Sequence, residues 1–264
     1  MNRRVTLRTA SEIACAREAG RRAAAVLQMI APHVRAGVST EELDQRCHDF
    51  IVHELKCVPA NVGYHGYQKT LCTSVNHVVC HGIPSAKTVL KDGDIVNLDV
   101  AALHQGWHGD TSRMYCVGEV SAKARRLVDT AYQAMRAGIL QVRPGATLGD
   151  VGFAIQNTAH SARFNVVREY AGHGIGTTYH DAPDVLNYGQ RGQGLVLEPG
   201  MVFTIEPMLN AGGRHVRELA DGWTVVTADR SLSAQWEHMV AVTDDGFELL
   251  TPWPEGTGGY PAIG

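Results

Sequence analysis

The feature that most constrains this chain is a strand pattern written once in each half and closed each time by an acid. Gly93-Asp94-Ile95-Val96-Asn97-Leu98-Asp99 returns as Gly200-Met201-Val202-Phe203-Thr204-Ile205-Glu206. Val34-Arg35-Ala36-Gly37-Val38-Ser39 returns as Val142-Arg143-Pro144-Gly145-Ala146-Thr147, and His81-Gly82-Ile83 returns as His173-Gly174-Ile175. Three echoes in one order predict two duplicated halves related by a pseudo-twofold axis. Matching strands then meet, each carrying a carboxylate where an apolar residue would be expected. Two facing buried acids are costly unless something positive lies between them. A divalent metal site is the economical reading.

The local patterns give helices interleaved with strands in each half. Thr9-Ala10-Ser11-Glu12 reads as a capping box opening a helix with Ile13, Val26, Leu27 and Ile30 on its apolar face, ending near Gly37. Ser39-Thr40-Glu41-Glu42 opens the next by the same chemistry, with Leu43, Cys47, Phe50, Ile51 and Leu55 at helical spacing. The second half repeats the pair from Leu127 to Leu140 and from Thr147 through Ala159. A strand from Trp236 to Thr243 turns at Asp245-Gly246 and returns through Phe247–Leu250 as a hairpin. Residues 251–264, rich in Gly and Pro, read as an extended tail that adds little to a core.

Chemistry gathers on the duplicated strands. After Asp99 the chain turns near His104-Gln105-Gly106 and returns through Trp107-His108-Gly109-Asp110. A hairpin there sets Asp99 and Asp110 nearly opposite on one face, where like charges repel unless a cation bridges them. Glu206 ends its strand and Glu237 lies in Gln235-Trp236-Glu237-His238-Met239, so four carboxylates converge. One imidazole, His173, sits in Gly172-His173-Gly174-Ile175-Gly176, where missing side chains let the backbone pass close. One nitrogen among many carboxylate oxygens suits Mn²⁺, Fe²⁺ or Co²⁺ better than a thiolate-type zinc site. Bridging carboxylates suit two metals that activate a water for hydrolysis.

Taken singly, these residues have plainer readings. A lone Asp at a strand end is more often a turn or cap residue, and it is the duplication that raises Asp99 above that. His33, His48, His53, His104 and His160 read as surface or hydrogen-bonded residues. Cys80 and His81, adjacent on an extended segment, point to opposite faces and form no thiol–imidazole dyad. Tyr64, Tyr67 and Trp223 read as packing aromatics on composition alone. The 264 residues suffice for one large domain or two fused halves, and a net charge of −3 with pI near 6.5 argues against stable nucleic-acid or anionic-membrane binding. Scattered cysteines without a C-x-x-C pair, no apolar core behind Arg3-Arg4 and no run long enough to span a membrane point to a reducing cytoplasm.

Six motifs together carry a family resemblance. They are Cys80-His81-Gly82-Ile83-Pro84, the Asp99 strand, Trp107-His108-Gly109-Asp110-Thr111-Ser112-Arg113, the Gly172–Gly176 loop, Phe203-Thr204-Ile205-Glu206-Pro207 and Ser233-Ala234-Gln235-Trp236-Glu237-His238. In this order and spacing, from about residue 5 to about residue 250, the chain resembles the type I methionine aminopeptidases of bacterial kind. The stretch between Glu206 and Glu237 has no room for the helical insert of type II enzymes, and the N-terminus lacks the cysteine-rich extension of eukaryotic type I relatives.

The resemblance implies an α+β, pita-bread (creatinase/aminopeptidase-like) fold, a curved antiparallel sheet backed by helices. That is one catalytic domain over 1–250, built from halves of about 1–120 and 121–250, with the tail at 251–264. It implies two divalent metal ions (cobalt, manganese, iron, nickel or zinc) held by Asp99, Asp110, His173, Glu206 and Glu237. Glu206 then shuttles a proton, His180 stabilises the developing oxyanion and His81 contacts the peptide nitrogen, while Asp99 helps to hold the free α-amine. The substrate, the N-terminal methionine of a nascent polypeptide, is met by Tyr64, His65, Tyr67, Cys72, His81, Tyr179, His180 and Trp223. A monovalent cation near Asn76, Val78 and Ser233, a transient ribosome contact and a monomeric state complete what it implies. Asn61, Ala171 and Tyr179 depart from residues common in the family (cysteine, cysteine and phenylalanine) and bear on the pocket wall. The rival readings are a proline-specific or creatinase-like hydrolase and a non-catalytic binding protein, both on the same fold.

Overall fold

The computed structural model describes residues 5–253 together with Tyr260 and Ile263. The Arg3-Arg4 pair and most of the predicted tail lie outside the described residues. Two helix pairs back the sheets: α1 (Ala10–Ile30) with α2 (Thr40–Asp49), and α3 (Ala122–Ile139) with α4 (Leu148–Ser161). Thr9 and Glu12 form the predicted capping box, and Thr147 and Asp150 form its counterpart in the second half. At Ser39 only half of it forms. Ser39 accepts from the Glu42 amide, but the Glu42 carboxylate turns to Arg46 at 2.9 Å. The first helix stops at Ile30, well short of Gly37, because Pro32 sits in the 3₁₀ turn Ala31–His33 and cannot donate to a preceding carbonyl. The helix predicted through Leu55 is likewise split, with a π turn over Phe50–Glu54.

The alternation along each strand sorts the two faces. In the strand Ile95–His104, Val96, Leu98, Val100 and Ala102 pack against Ala23, Val26, Leu27 and Ile30 of α1 in the first core. In the strands Val202–Ile205 and His238–Val242, Phe203, Ile205, Val240 and Val242 pack with Leu127, Val128, Ala131 and Met135 of α3 in the second. Asn97, Asp99, Thr204 and Glu237 are therefore left on the face turned away from the helices. Among the described residues every strand pair is antiparallel, and the bridge between Ser112 and Glu237 joins the first half's hairpin to the second half.

Two of the three sequence echoes are structural. Gly37 donates to Leu90 O and Gly145 to Leu197 O; Gly93 donates to Val117 O and Gly200 to Val242 O. Ser39 and Thr147 both cap helices and both form an isolated antiparallel bridge, to Val89 and Val196 respectively. The third echo is not. Val75 pairs with Val96, and Gly174 pairs with Phe203, the residue matching Val96 in the duplicated pattern. The counterpart of Gly174 is therefore Val75, not Gly82, and His81 lies past the strand Val78–Cys80 at φ 56°.

The C-terminal segment also departs from expectation. Thr251 is fully buried and accepts the Met239 amide at 3.1 Å, Trp253 and Tyr260 pack beside Trp236, and Ile263 joins the second core. The reading of this segment as peripheral to the core is overturned for these residues, because Trp236 and Tyr132 present an aromatic surface that water would otherwise cover.

Candidate metal centre and substrate pocket

The hairpin that carries the first two acids runs Ile95–His104 and Trp107–Cys116, and its register pairs Asp99 with Ser112 and Ala101 with Asp110. Asp99 and Asp110 are thus diagonal neighbours on one face, not opposite partners. The turn residues are Gln105 and Gly106, both at positive φ (49° and 84°), which moves the hairpin centre one residue beyond the midpoint of the two acids. His173 is brought in by the strand Gly172–Gly174. A Cβ on Gly172 would run into the Thr204 carbonyl and one on Gly174 into the Ala182 carbonyl, so only glycines allow this approach. Glu237 follows the short strand Ser233–Gln235; the single strand expected there is interrupted at Trp236-Glu237.

Asp110, His173 and Glu237 are buried, and each offers a ligand atom within 4.8 Å of the others. His173 Nε2 lies 3.4 Å from Asp110 Oδ2 and 3.7 Å from Glu206 Oε1. Its Nδ1 is 3.0 Å from the Gly174 carbonyl, to which it donates, leaving the Nε2 lone pair free to ligate a cation. Glu206 accepts from Thr204 Oγ1 at 2.8 Å and from Gln235 Nε2 at 3.3 Å. Asp99 and Glu206 face the same cavity outside the tight triad. Burial, with Asp110 alongside, pushes Glu206 up to about 7 against the pull of His173. Asp99 is driven well above the usual carboxylate range by burial and by Asp110 and Glu206, and Glu237 by burial and its three acidic neighbours. Asp110 Oδ1 is buried without a hydrogen-bond partner. An orphaned carboxylate oxygen, three further acids and an imidazole nitrogen free to donate fit a divalent cation, which supplies the missing positive charge.

Beside the acids opens a cavity of about 340 Å³. Every residue expected to meet substrate lines it: Tyr64, His65, Tyr67, Cys72, His81, Tyr179, His180 and Trp223. Cys72 is there because it pairs with Asp99 across the sheet. Trp223 is presented by Asp221, whose carboxylate accepts the Trp223 and Thr224 amides. Tyr67 and Trp223 pack at 4.8 Å, and His180 lies between His173 (3.9 Å) and the stacked ring of Tyr64 (5.1 Å). Burial and the surrounding histidines push His180 down to about 3, so it is neutral at ordinary pH. Burial lowers His81 as well. Cys80 is buried in a small apolar cluster with Val79, Val167, Met208 and Val225.

Some shaping residues stand in the quoted motifs without a role assigned to them from sequence. Gln235 and Thr204 orient Glu206, and His108 stacks flat on Tyr179 (5.3 Å, 2°) while bonding the Gly176 carbonyl. Nothing in their local patterns separates them from ordinary strand residues. Asn76 and Ser233 are brought together, Asn76 O accepting the Ser233 amide at 2.8 Å. Their side chains are engaged with Asp94 and with Leu209 and Asn210, so a cation there would draw on main-chain oxygens. A larger cavity of about 620 Å³ beside α4, lined by Leu148, Leu186, Tyr188 and Leu195, contains none of the site residues.

The sequence and shape of this chain are similar to those of known peptidases. The description of metallopeptidase family M24 matches residues 14–244. The methionine aminopeptidase of Escherichia coli (strain K12) is 51% identical over 259 residues, covering 98% of this chain and 97% of the relative. The crystal structure of methionine aminopeptidase from Rickettsia prowazekii superposes with a TM-score of 0.92 at 51% identity, over 94% of this chain and 100% of that one. A Xaa-Pro dipeptidase from Bacillus anthracis is more distant, with a TM-score of 0.75 and 25% identity over 94% of this chain but 62% of its own.

Proposed function

Because this chain belongs to metallopeptidase family M24 and is a methionyl aminopeptidase that removes N-terminal methionine, we propose a division of labour among the residues around its cavity. The observation that carries it is the single cavity in which a buried acidic cluster and a neutral imidazole meet an aromatic pocket. Asp99, Asp110, His173, Glu206 and Glu237 would hold two divalent ions. When bound, such ions supply Lewis acidity and a water acidic enough to attack a peptide carbonyl near neutral pH. Glu206, steered by Thr204 and Gln235, takes a proton from the attacking water and passes it to the leaving amine. His180, kept neutral, donates to the carbonyl oxygen as charge develops there, and His81 contacts the peptide nitrogen.

Asp99 accepts from the substrate's α-amine, which limits cleavage to the terminal residue. Tyr64, Tyr67, Cys72, Tyr179 and Trp223 enclose the methionine side chain, with His65 at the rim. Burying that side chain is worth roughly 1.5–3 kcal/mol, enough to favour methionine over smaller residues. The same reading includes a monovalent cation near Asn76, Val78 and Ser233, transient contact with the ribosome, a monomer, and action in the cytoplasm. Among the described residues no helix is long and apolar enough to cross a membrane.

A matched peptide series tests the assignment. Met-Ala-Ser is expected to be cleaved on the order of 10²-fold faster than Met-Leu-Ser, because a bulky second residue displaces the scissile carbonyl from Glu206 and His180. Ala-Pro-Ser is expected to stay intact. Equal rates on Met-Ala-Ser and Met-Leu-Ser, or faster cleavage before proline, would replace this reading with a broader or proline-directed peptidase.

A further inference from the structure

Two residues that depart from the common family pattern, far apart in sequence, touch in the structure. The Tyr179 hydroxyl donates to Asn61 Oδ1 at 2.7 Å; both side chains are buried and both line the cavity. The bond runs between the two halves. Asn61 is held at both ends, since its Nδ2 donates to Thr70 O at 2.9 Å, and turning the amide over would set its oxygen against that carbonyl. Thr70 is fixed in turn, because its amide and that of Leu71 both bond the buried Asp44 carboxylate on α2, at 2.9 and 2.8 Å. On its other side the Tyr179 ring lies flat on His108 and packs against Tyr64 and His180. Stacking thus fixes the plane of the ring, while the hydroxyl tie fixes how far the ring stands from the opposite wall.

We propose that Asn61 is a positioning residue that sets the width of the methionine pocket by tethering Tyr179 across the two halves, and so determines selectivity for the substrate's first residue. The proposal rests on the assignment of this cavity to the methionine side chain. An unbranched thioether fits beside a tethered ring, whereas leucine, branched one carbon earlier, needs the wall to retreat. Removing one partner leaves a buried polar atom unpaired and drives the ring or the loop to seek another. Replacing both by apolar groups of similar shape restores packing in place of the Tyr179–Asn61 bond and leaves only the Thr70 carbonyl without its side-chain donor, a loss the double variant shares with Asn61→Leu.

The test is a cycle in the full-length, metal-loaded enzyme: wild type, Asn61→Leu, Tyr179→Phe and the double variant, each assayed on Met-Ala-Ser and Leu-Ala-Ser. The readout is the ratio of the two kcat/KM values, which does not depend on how much of a preparation is folded or loaded. Each single variant is expected to lower the Met-to-Leu ratio about tenfold, and the double variant to recover to within about threefold of wild type. A ratio unchanged within twofold in Asn61→Leu overturns the proposal, as does a double variant whose loss is the product of the single losses. A wild type that cleaves neither peptide overturns the pocket assignment itself, and the proposal with it.

Discussion

Removing the metal exposes the electrostatic cost of the acidic centre, and Glu206 is where that cost can be isolated. Its carboxyl is pushed from an ordinary 4.5 up to about 7, mainly by burial. The side chain is only 13% exposed, so solvent screening takes little off the effect. Below pH 4.5 the group is protonated in both the folded and the unfolded chain and the shift has no effect. Between about 4.5 and 7 the unfolded chain releases the proton while the folded chain retains it, and stability falls as pH rises. At ~1.4 kcal/mol per unit the loss is on the order of 3 kcal/mol. His180 and His238, both pushed down to about 3, act in the opposite sense, since folding keeps them neutral while the unfolded chain protonates them below about 6.5. The comparison that cancels them is metal-stripped wild type against metal-stripped Glu206→Gln, followed by urea unfolding at pH 5, 6, 7 and 8. Wild type should lose stability relative to the variant across that range by a few kcal/mol, with unchanged m-values, and saturating divalent metal should abolish the trend. A difference that is flat, or that favours wild type as pH rises, would refute the account of Glu206 as a buried acid awaiting positive charge.

Three further outcomes follow from the same geometry. His180→Ala should lower kcat by ~10²–10³-fold while metal content, measured by elemental analysis, stays at the wild-type level; loss of metal would reassign the ring as a ligand. His173→Ala or Asp110→Ala should lose metal and activity together and remain folded by circular dichroism, so full activity after metal depletion in either variant contradicts the ligand set. Truncation after Leu250 should lower the melting temperature markedly, because it removes Thr251 from the Met239 amide and strips Trp253, Tyr260 and Ile263 from the second core. At ~1.5–3 kcal/mol per large buried side chain the loss is several kcal/mol, and an unchanged melting curve would return the segment to the status of a loose tail.

The sequence carried the parts of the fold that repeat. Gly37 and Gly145, Ser39 and Thr147, and Gly93 and Gly200 recur in matching hydrogen bonds because backbone geometry at turns and caps demands particular residue types. The echo between His81 and His173 fails for the complementary reason. A three-residue match containing glycine specifies neither register nor sheet position, and pairing with Val96 and Phe203 decides the equivalence instead. A midpoint between Asp99 and Asp110 assumes that they pair and sets the hairpin register off by two residues, whereas the positive φ of Gln105 and Gly106 fixes the turn and pairs Asp99 with Ser112. Helix ends were misplaced where one residue, Pro32, overrides the apolar period.

At the site, the acids stood out because the duplicated pattern closes each matching strand with a carboxylate, whereas the cavity-lining residues came from the family resemblance as a whole, only His81 among them lying inside one of its motifs. What stayed hidden are the contacts between such residues. Asn61 and Tyr179 each stood out as departures, yet the reason for either lies in the other, 118 residues away, and one hydrogen bond turns two irregularities into one feature. Gln235 and Thr204 are similar: each is only a motif neighbour of an acid until the fold sets it against Glu206. A site of this kind is read from sequence through the groups whose charge or chemistry is costly to bury. The groups that orient them are ordinary side chains, and only the folded chain gives them their partners.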